Sequence, residues 1–316
     1  MTGRILFLDD RLPLCYDKAF LSDGGTPMKT FKRSADCLAV LAALFYALNA
    51  PLSKLLLQDV PPGMMAALLY LGAGLGMLLL SPVRRASGKE ADSGFSRHDM
   101  PYVAGMIALD IAAPLCLMWG LRTTSPASVS LLNNFEIAAT SIIALVIFHE
   151  AISRRLWCAI GLVTLASVLL SLDSPASVTF SPGSLLVLGA CVCWGFENNC
   201  TRMLSHGDPL RIVIIKGLGS GLGALLVALL SGEALPGMDK IPLVLLLGFV
   251  SYGLSVYCYV RAQRTLGAAR TSAYYAIAPF AGVAISFLLF REMPGMTFLL
   301  ALPLMLLGTR LTAREG

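Results

Sequence analysis

The sequence predicts an all-α integral membrane protein, with ten transmembrane helices arranged as two inverted five-helix repeats. Three observations predict this class. Of the 316 residues, 56% are hydrophobic and 14% charged, whereas a soluble domain carries about 25% charged residues. Those charges cluster in short basic stretches between apolar runs, each run near the ~20 residues that cross a bilayer core as a helix. The two halves of the chain also repeat each other at a near-constant offset, a signature that sets architecture before any single motif does.

The ten apolar runs fall at about 36–56, 62–80, 101–121, 126–147, 153–171, 183–203, 209–230, 240–261, 267–289 and 295–310. Connections are short and carry Pro or Gly at their edges, as at Pro61-Pro62, Asp208-Pro209 and Pro294-Gly295, where a helix stops or starts most readily. Only 81–100 makes a long polar loop. Lys and Arg distribute unevenly across these connections. With the N-terminus inside, the inner segments hold 19 of the 24 and the outer ones only Lys54, Arg122, Lys240 and Arg291, with Lys216 inside a span. The positive-inside rule therefore puts both termini of a multi-pass protein in the cytoplasm. Residues 1–35 read as a cytoplasmic tail, 36–172 as the first repeat, 183–310 as the second and 311–316 as a cytoplasmic end. Residues 1–27 hold no signal-peptide h-region; they read as a disordered tail or as an over-long start ahead of Met28-Lys-Thr-Phe-Lys-Arg.

The repeat is visible residue by residue. Leu-Gly-Ala-Gly-Leu-Gly (71–76) matches Leu-Gly-Ser-Gly-Leu-Gly (218–223), and the same offset pairs Pro62 with Pro209. Tyr46, Asn49, Ser53 and Lys54 pair with Trp194, Glu197, Thr201 and Arg202; Ser130 and Glu150 pair with Ser272 and Glu292. An odd number of spans per half turns the second half upside down. Inverted repeats of this kind build secondary transporters, with the solute site near the midplane between the halves.

Two stretches carry a family likeness: Ser-Pro-Ala-Ser-Val-Ser through Ile-Phe-His-Glu (125–150), and Gly-Ala-Ala-Arg-Thr-Ser-Ala-Tyr-Tyr-Ala-Ile-Ala-Pro through Leu-Phe-Arg-Glu (267–292). Small residues open the span, Pro279 sits within it and Glu150 or Glu292 closes it. In this the chain resembles the drug/metabolite transporter superfamily in its ten-helix EamA-type branch, over roughly residues 35–310. The first half departs from the pattern, with Ile137 where a mid-span Pro would stand. The resemblance implies movement of a metabolite across the inner membrane and leaves the substrate open.

Ionisable groups at a helix centre cost about 2.5–3.5 kcal/mol on insertion scales and normally face a cavity or a partner. Asp110, Glu136 and Glu197 lie about midway along their spans, and Lys216 lies within the seventh. Polar stripes accompany them at helical spacing: Tyr46, Asn49, Ser53; Ser130, Asn133, Glu136, Thr140; and Trp194, Glu197, Thr201. The candidate substrate and coupling cavity is accordingly Glu136, Glu197, Asp110, Asn49, Asn133, Tyr46, Trp194 and Tyr274. Each has a plainer reading. The asparagines serve equally as interhelical hydrogen bonds, the aromatics as packing, and Lys216 as a snorkelling side chain or a carboxylate's partner. Glu150 and Glu292 read as structural helix ends that cap or tether neighbours.

Three carboxylates against one lysine suit a cation, an amine or a proton. The expectation is a secondary transporter exporting an amino acid or related amphipathic solute against protons, with a drug or quaternary-amine exporter as the alternative. A channel or a non-transporting scaffold is the alternative from another class. Its partners would be that solute, protons and lipid, with no nucleic acid, as a monomer or homodimer. No cofactor or metal is expected, since the eight cysteines are scattered and no Cys/His spacing suits zinc. No HExxH or GxSxG motif points to an enzyme. The Gly-x-Gly stretches follow no strand, so they favour close helix packing over nucleotide binding.

Overall fold

The structure is a computed structural model that describes residues 28–86, 95–123, 135–171, 182–290 and 296–314. These residues form an all-α bundle with no strand among them. In chain order the helices are α1 (Met28–Ala47), α2 (Asn49–Leu56), α3 (Pro62–Ala86), α4 (Met100–Thr123), α5 (Phe135–Val146) and α6 (Arg154–Ser171). They continue with α7 (Pro182–Leu204), α8 (Pro209–Leu230), α9 (Lys240–Gly248), α10 (Ser255–Tyr275), α11 (Ala278–Phe290) and α12 (Met296–Ala313). A π-helical segment, Phe249–Leu254, joins α9 to α10.

Helix starts follow local chemistry. Asp208 caps α8 by accepting the Leu210 N–H at 3.1 Å, with Pro209 at the first position, where its missing N–H costs nothing. Prolines also break two stretches that read as single spans. Pro51 has no N–H for the Ala47 carbonyl, and the chain interrupts at Leu48 between α1 and α2. Pro279 likewise leaves the Tyr275 carbonyl without its i+4 donor, and α10 gives way to α11 at Ala276-Ile277.

Ten spans were expected; among the described residues, five helical stretches are long and apolar enough to cross a membrane. They are Ser34–Ser53, Pro62–Pro82, Met100–Leu117, Pro209–Leu230 and Lys240–Tyr275. The last, at 36 residues, is not one rod, because Gly267 turns the backbone to φ 78° inside it. Elsewhere α7 has the length, but Glu197, Asn198, Asn199, Thr201 and Arg202 lower its hydropathy. Phe135–Val146 and Leu299–Ala313 are apolar but shorter.

The solvent for this bundle is legible in what it buries. Leu79, Leu230 and Leu288 stand 78%, 79% and 72% exposed, while Asp110, Glu197, Asn199 and Lys216 are buried. A protein folded against water shows the reverse. An apolar exterior around a polar interior belongs in lipid, where only internally satisfied backbone is stable.

Packing joins the first half of the chain to the second. The main pairs are α3 on α8, α4 on α7, α1 on α10 and α6 on α12. The paired Gly stretches make the α3–α8 contact possible. A Cβ on Gly217 would lie 2.5 Å from the Gly74 nitrogen, and one on Gly74 would lie 2.7 Å from the Leu218 nitrogen. Backbone meets backbone there, as small residues allow in membranes. Carboxylates tie the halves together at helix starts. Glu233, past the end of α8, accepts the N–H groups of Gly63 (3.0 Å) and Met64 (2.8 Å) at the start of α3. Glu150 accepts those of Ala268 (3.0 Å) and Ala269 (3.3 Å), where the helix resumes after Gly267.

Candidate functional site

A cavity of about 250 Å³ opens between the helices of the two halves. Its walls come from both halves: Tyr46 of α1, Tyr70 of α3, Asp110 of α4 and Glu136 of α5 on one side. Trp194, Glu197, Asn198 and Thr201 of α7, Lys216 of α8, Tyr252 of the π segment, and Tyr259, Ser272 and Tyr275 of α10 complete it. Both proline-made breaks border it, Tyr46 at the end of α1 and Ala276 and Ala278 around the α10–α11 interruption. Discontinuous helices beside a polar cavity are tolerated because the freed backbone lies within protein rather than lipid.

The charged groups divide into two sets. Lys216 reaches between two helices, its Nζ donating to Glu197 Oε1 at 2.8 Å and lying 3.3 Å from Asp110 Oδ2. The three side chains are 11%, 3% and 1% exposed. The knot has further support. The Thr201 hydroxyl donates to Glu197 at 2.5 Å, Tyr70 to Asp110 at 3.3 Å and Ser220 to Asp110 at 3.4 Å. Every charge here has an opposite neighbour, which is how buried ions are retained at all.

Glu136 lies apart from that knot. It is half-buried in the first described turn of α5 and accepts the Asn198 amide at 3.1 Å. Among the described residues no Lys, Arg or His pairs with it. Asn198 also donates to the Thr140 hydroxyl at 3.3 Å and accepts from Tyr259 at 3.3 Å, and Tyr259 shares a hydrogen bond with Ser272 at 2.9 Å. Opposite runs an aromatic wall. Ring centroids lie 5.1 Å apart for Tyr70 and Tyr252, 5.6 Å for Tyr252 and Tyr46, 5.1 Å for Tyr46 and Tyr275, and 5.0 Å for Tyr275 and Tyr259. Ser255 steadies the wall, within 3.0 Å of the Tyr275 hydroxyl while donating to the Ala42 carbonyl at 2.8 Å.

Of the residues singled out from sequence, Asp110, Glu136, Glu197, Tyr46 and Trp194 line the cavity. Asn49 stands behind it, 3.5 Å from the Tyr252 hydroxyl and accepting from Ser53 at 2.9 Å. Tyr274 does not line it. It is buried at 2% exposure against Ala39 and Ala262, and its neighbour Tyr275 takes the cavity face, since adjacent helical residues point about 100° apart. Asn133, Ser130 and Glu292 lie outside the described residues. Asn199 bridges α7 to α5 by donating to the Thr140 carbonyl at 3.0 Å. Sequence reading passed over Tyr70, Tyr252 and Tyr259. The available signal was the i, i+4, i+7 alignment of Tyr252, Val256 and Tyr259, and it was interrupted by the π segment. The described residues hold no cluster of three His, Cys, Asp or Glu fit for a metal.

Comparison with known proteins shows the family and the fold. The model of the EamA-like transporter family matches twice, over residues 33–172 and 181–314. The chain is similar to an uncharacterized transporter of Methanothermobacter thermautotrophicus, 25% identical over 271 residues covering 80% of this chain and 78% of that protein. It is also similar to the uncharacterized transporter YyaM of Bacillus subtilis, 22% identical over 178 residues covering 53% and 58%. A crystal structure shares the fold with a TM-score of 0.73 at 16% identity, covering 88% of this chain and 96% of the other.

Proposed function

This chain belongs to the EamA-like transporter family, whose members move solutes and are not enzymes, and we propose that it is a secondary transporter for a small, amine-bearing amphipathic solute. In this reading it exports an amino acid or a related metabolite across the cytoplasmic membrane by alternating access, coupled to protons. One observation carries the proposal: a cavity walled by both halves whose described lining holds three carboxylates and one lysine.

The architecture we propose is ten spans in two opposed repeats. Support comes from the doubled family match and from the helix pairs. Exchanging the halves turns the α4–α7 pair into the α10–α1 pair and returns α3–α8 and α6–α12 to themselves. Two nearly equivalent packings of that kind can trade an inward-open for an outward-open state. Coupling follows if protons and solute compete for the same carboxylates. Protonating Glu197 or Asp110 loosens the hold on Lys216, and protonating Glu136 removes the charge opposite the tyrosines.

The experiment is transport into proteoliposomes under an imposed pH gradient. Wild-type protein is expected to show saturable, gradient-driven flux, and Glu197→Gln to retain exchange while losing its dependence on pH. Unchanged coupling in that variant would sink the proton assignment. A second reading, export of a drug-like or quaternary amine, is favoured by the tyrosine wall, because aromatic faces attract cations by about 0.5–2 kcal/mol each. Solute-specific counterflow also separates a carrier from a channel or a passive scaffold.

A further inference from the structure

We propose that residues 268–275 are a lid that opens the cavity to the end of the bundle where α7 stops and α8 begins, and that the Arg270–Asp36 ion pair is its latch. This rests on the transporter reading above, which gives the lid its purpose, and names the part that moves. The segment lies between two breaks. Gly267, at φ 78°, precedes it, and the interruption at Ala276-Ile277 follows it. Element ends of this kind absorb the backbone change of a hinge. One face of the segment meets the cavity through Ser272 and Tyr275. Another presents Ala269 and Ala273 to Leu156, Ala159 and Ile160 of α6. Methyl groups interlock little with a neighbour, which suits the small sliding of packed helices.

Polar contacts hold the segment in place. Arg270 donates to Asp36 Oδ1 of α1 at 3.0 Å, the two side chains being 8% and 22% exposed. At the start of the segment Glu150 accepts the Ala268 and Ala269 N–H groups, and Arg202 of α7 stands 3.6 Å from the same carboxylate. The closure is incompletely paired. Asn199 Oδ1, Arg202 Nε, Gln263 Oε1 and Arg270 Nε are buried without a hydrogen-bond partner, and all four lie on α7 or α10. A buried group with its hydrogen bond unmade is costly, so a movement that admits water there recovers part of that cost. Among the described residues no such atom lies on α3 or α8, whose backbones meet directly. The α3–α8 pair is the fixed frame, and the α7–α10 junction is the side that gives.

Thiol labelling tests this on the purified full-length protein in detergent. Val256→Cys places a reporter of similar size on the cavity wall. A water-soluble maleimide is followed by peptide mass spectrometry, so the native cysteines are read separately. Adding Asp36→Asn is expected to speed labelling at position 256 at least fivefold, and Asp36→Glu to speed it less. Cys200, buried beside Val103 and Met106 of α4, is the control and is expected to keep its wild-type rate. Thermal unfolding checks that each variant is folded. If Asp36→Asn fails that check, Glu150→Gln takes its place, with a rise in the same direction expected. Unchanged labelling at position 256 in the folded variant would overturn the proposal. An equal rise at Cys200 would also overturn it, because the bundle is then loosening as a whole. Counterflow of radiolabelled leucine and tetraethylammonium in proteoliposomes keeps the two readings apart. If labelling responds and neither solute shows counterflow, the lid stands and the transporter reading loses support. If a solute shows counterflow and labelling does not respond, the lid falls and the transporter reading stands.

Discussion

Two carboxylate environments line one cavity, and their neighbours differ. Asp110 and Glu197 share Lys216 and are ringed by hydroxyl donors, with almost no exposure. Among the described residues Glu136 accepts only the Asn198 amide, and tyrosine rings line the same cavity. The first is an electrostatic unit linking α4, α7 and α8; the second has no ion-pair partner among the described residues. The same residue type is thus paired in one place and without a cation in another among those residues, and the difference lies in the neighbours.

The largest effect expected from this contrast comes from removing the shared cation. Lys216→Met leaves two carboxylates buried without a partner and should destabilise by about 3–5 kcal/mol, read as a fall in the unfolding temperature in detergent. Adding Asp110→Asn and Glu197→Gln to that variant should recover most of the loss, because the uncompensated charges are then gone. Glu136→Gln alone should shift stability by under about 1 kcal/mol, since the amide keeps the shape and a polar partner for Asn198. Equal losses at Lys216 and Glu136 would erase the distinction.

Smaller effects test the frame that holds the two environments. Gly217→Ala puts a methyl against the Gly74 backbone and should cost about 1–3 kcal/mol by overpacking, with α3 and α8 forced apart. Glu150→Ala strips the acceptor from the Ala268 and Ala269 N–H groups and should cost about 1 kcal/mol, as loss of a helix cap does. Glu150→Gln should recover part of it.

The smallest effect is expected away from the cavity. Asp99, at the start of α4, is burdened by partial desolvation, but hydrogen bonds from the Ser96 N–H and hydroxyl and the nearby His206 outweigh it and hold its carboxyl below the ordinary 3.8. A depressed folded value means the contribution is present above pH 3.8 and is lost as pH falls through the folded value. Asp99→Asn should therefore flatten the acid limb of a stability-versus-pH curve and leave the neutral region nearly unchanged, as unfolding scans would read it.

The contrast between the two environments also marks what the sequence can say. Asp110, Glu136, Glu197 and Lys216 stand out in apolar runs because charge inside a membrane helix is costly wherever it occurs. The Gly stretches likewise announce a close α3–α8 approach. Which carboxylate keeps Lys216 is not written in any local pattern, since it depends on α4, α7 and α8 meeting at one level. The tyrosine wall escaped for a related reason. Tyr70 comes from a different helix than Tyr252 and Tyr259, and the π segment shifts the face that Tyr252 presents. Tyr274 was set on the cavity where Tyr275 stands, one residue and about 100° away, because periodicity fixes a face only once its phase is known. The interruptions at Leu48 and Ala276-Ile277 were legible in Pro51 and Pro279, but hydropathy averaged across them.

The most direct test of the account is solute counterflow in proteoliposomes under an imposed pH gradient, made with wild-type protein and with folded Glu197→Gln. The account predicts saturable, gradient-driven flux for the wild type and exchange without pH dependence for the variant. Equal pH dependence in both would contradict it.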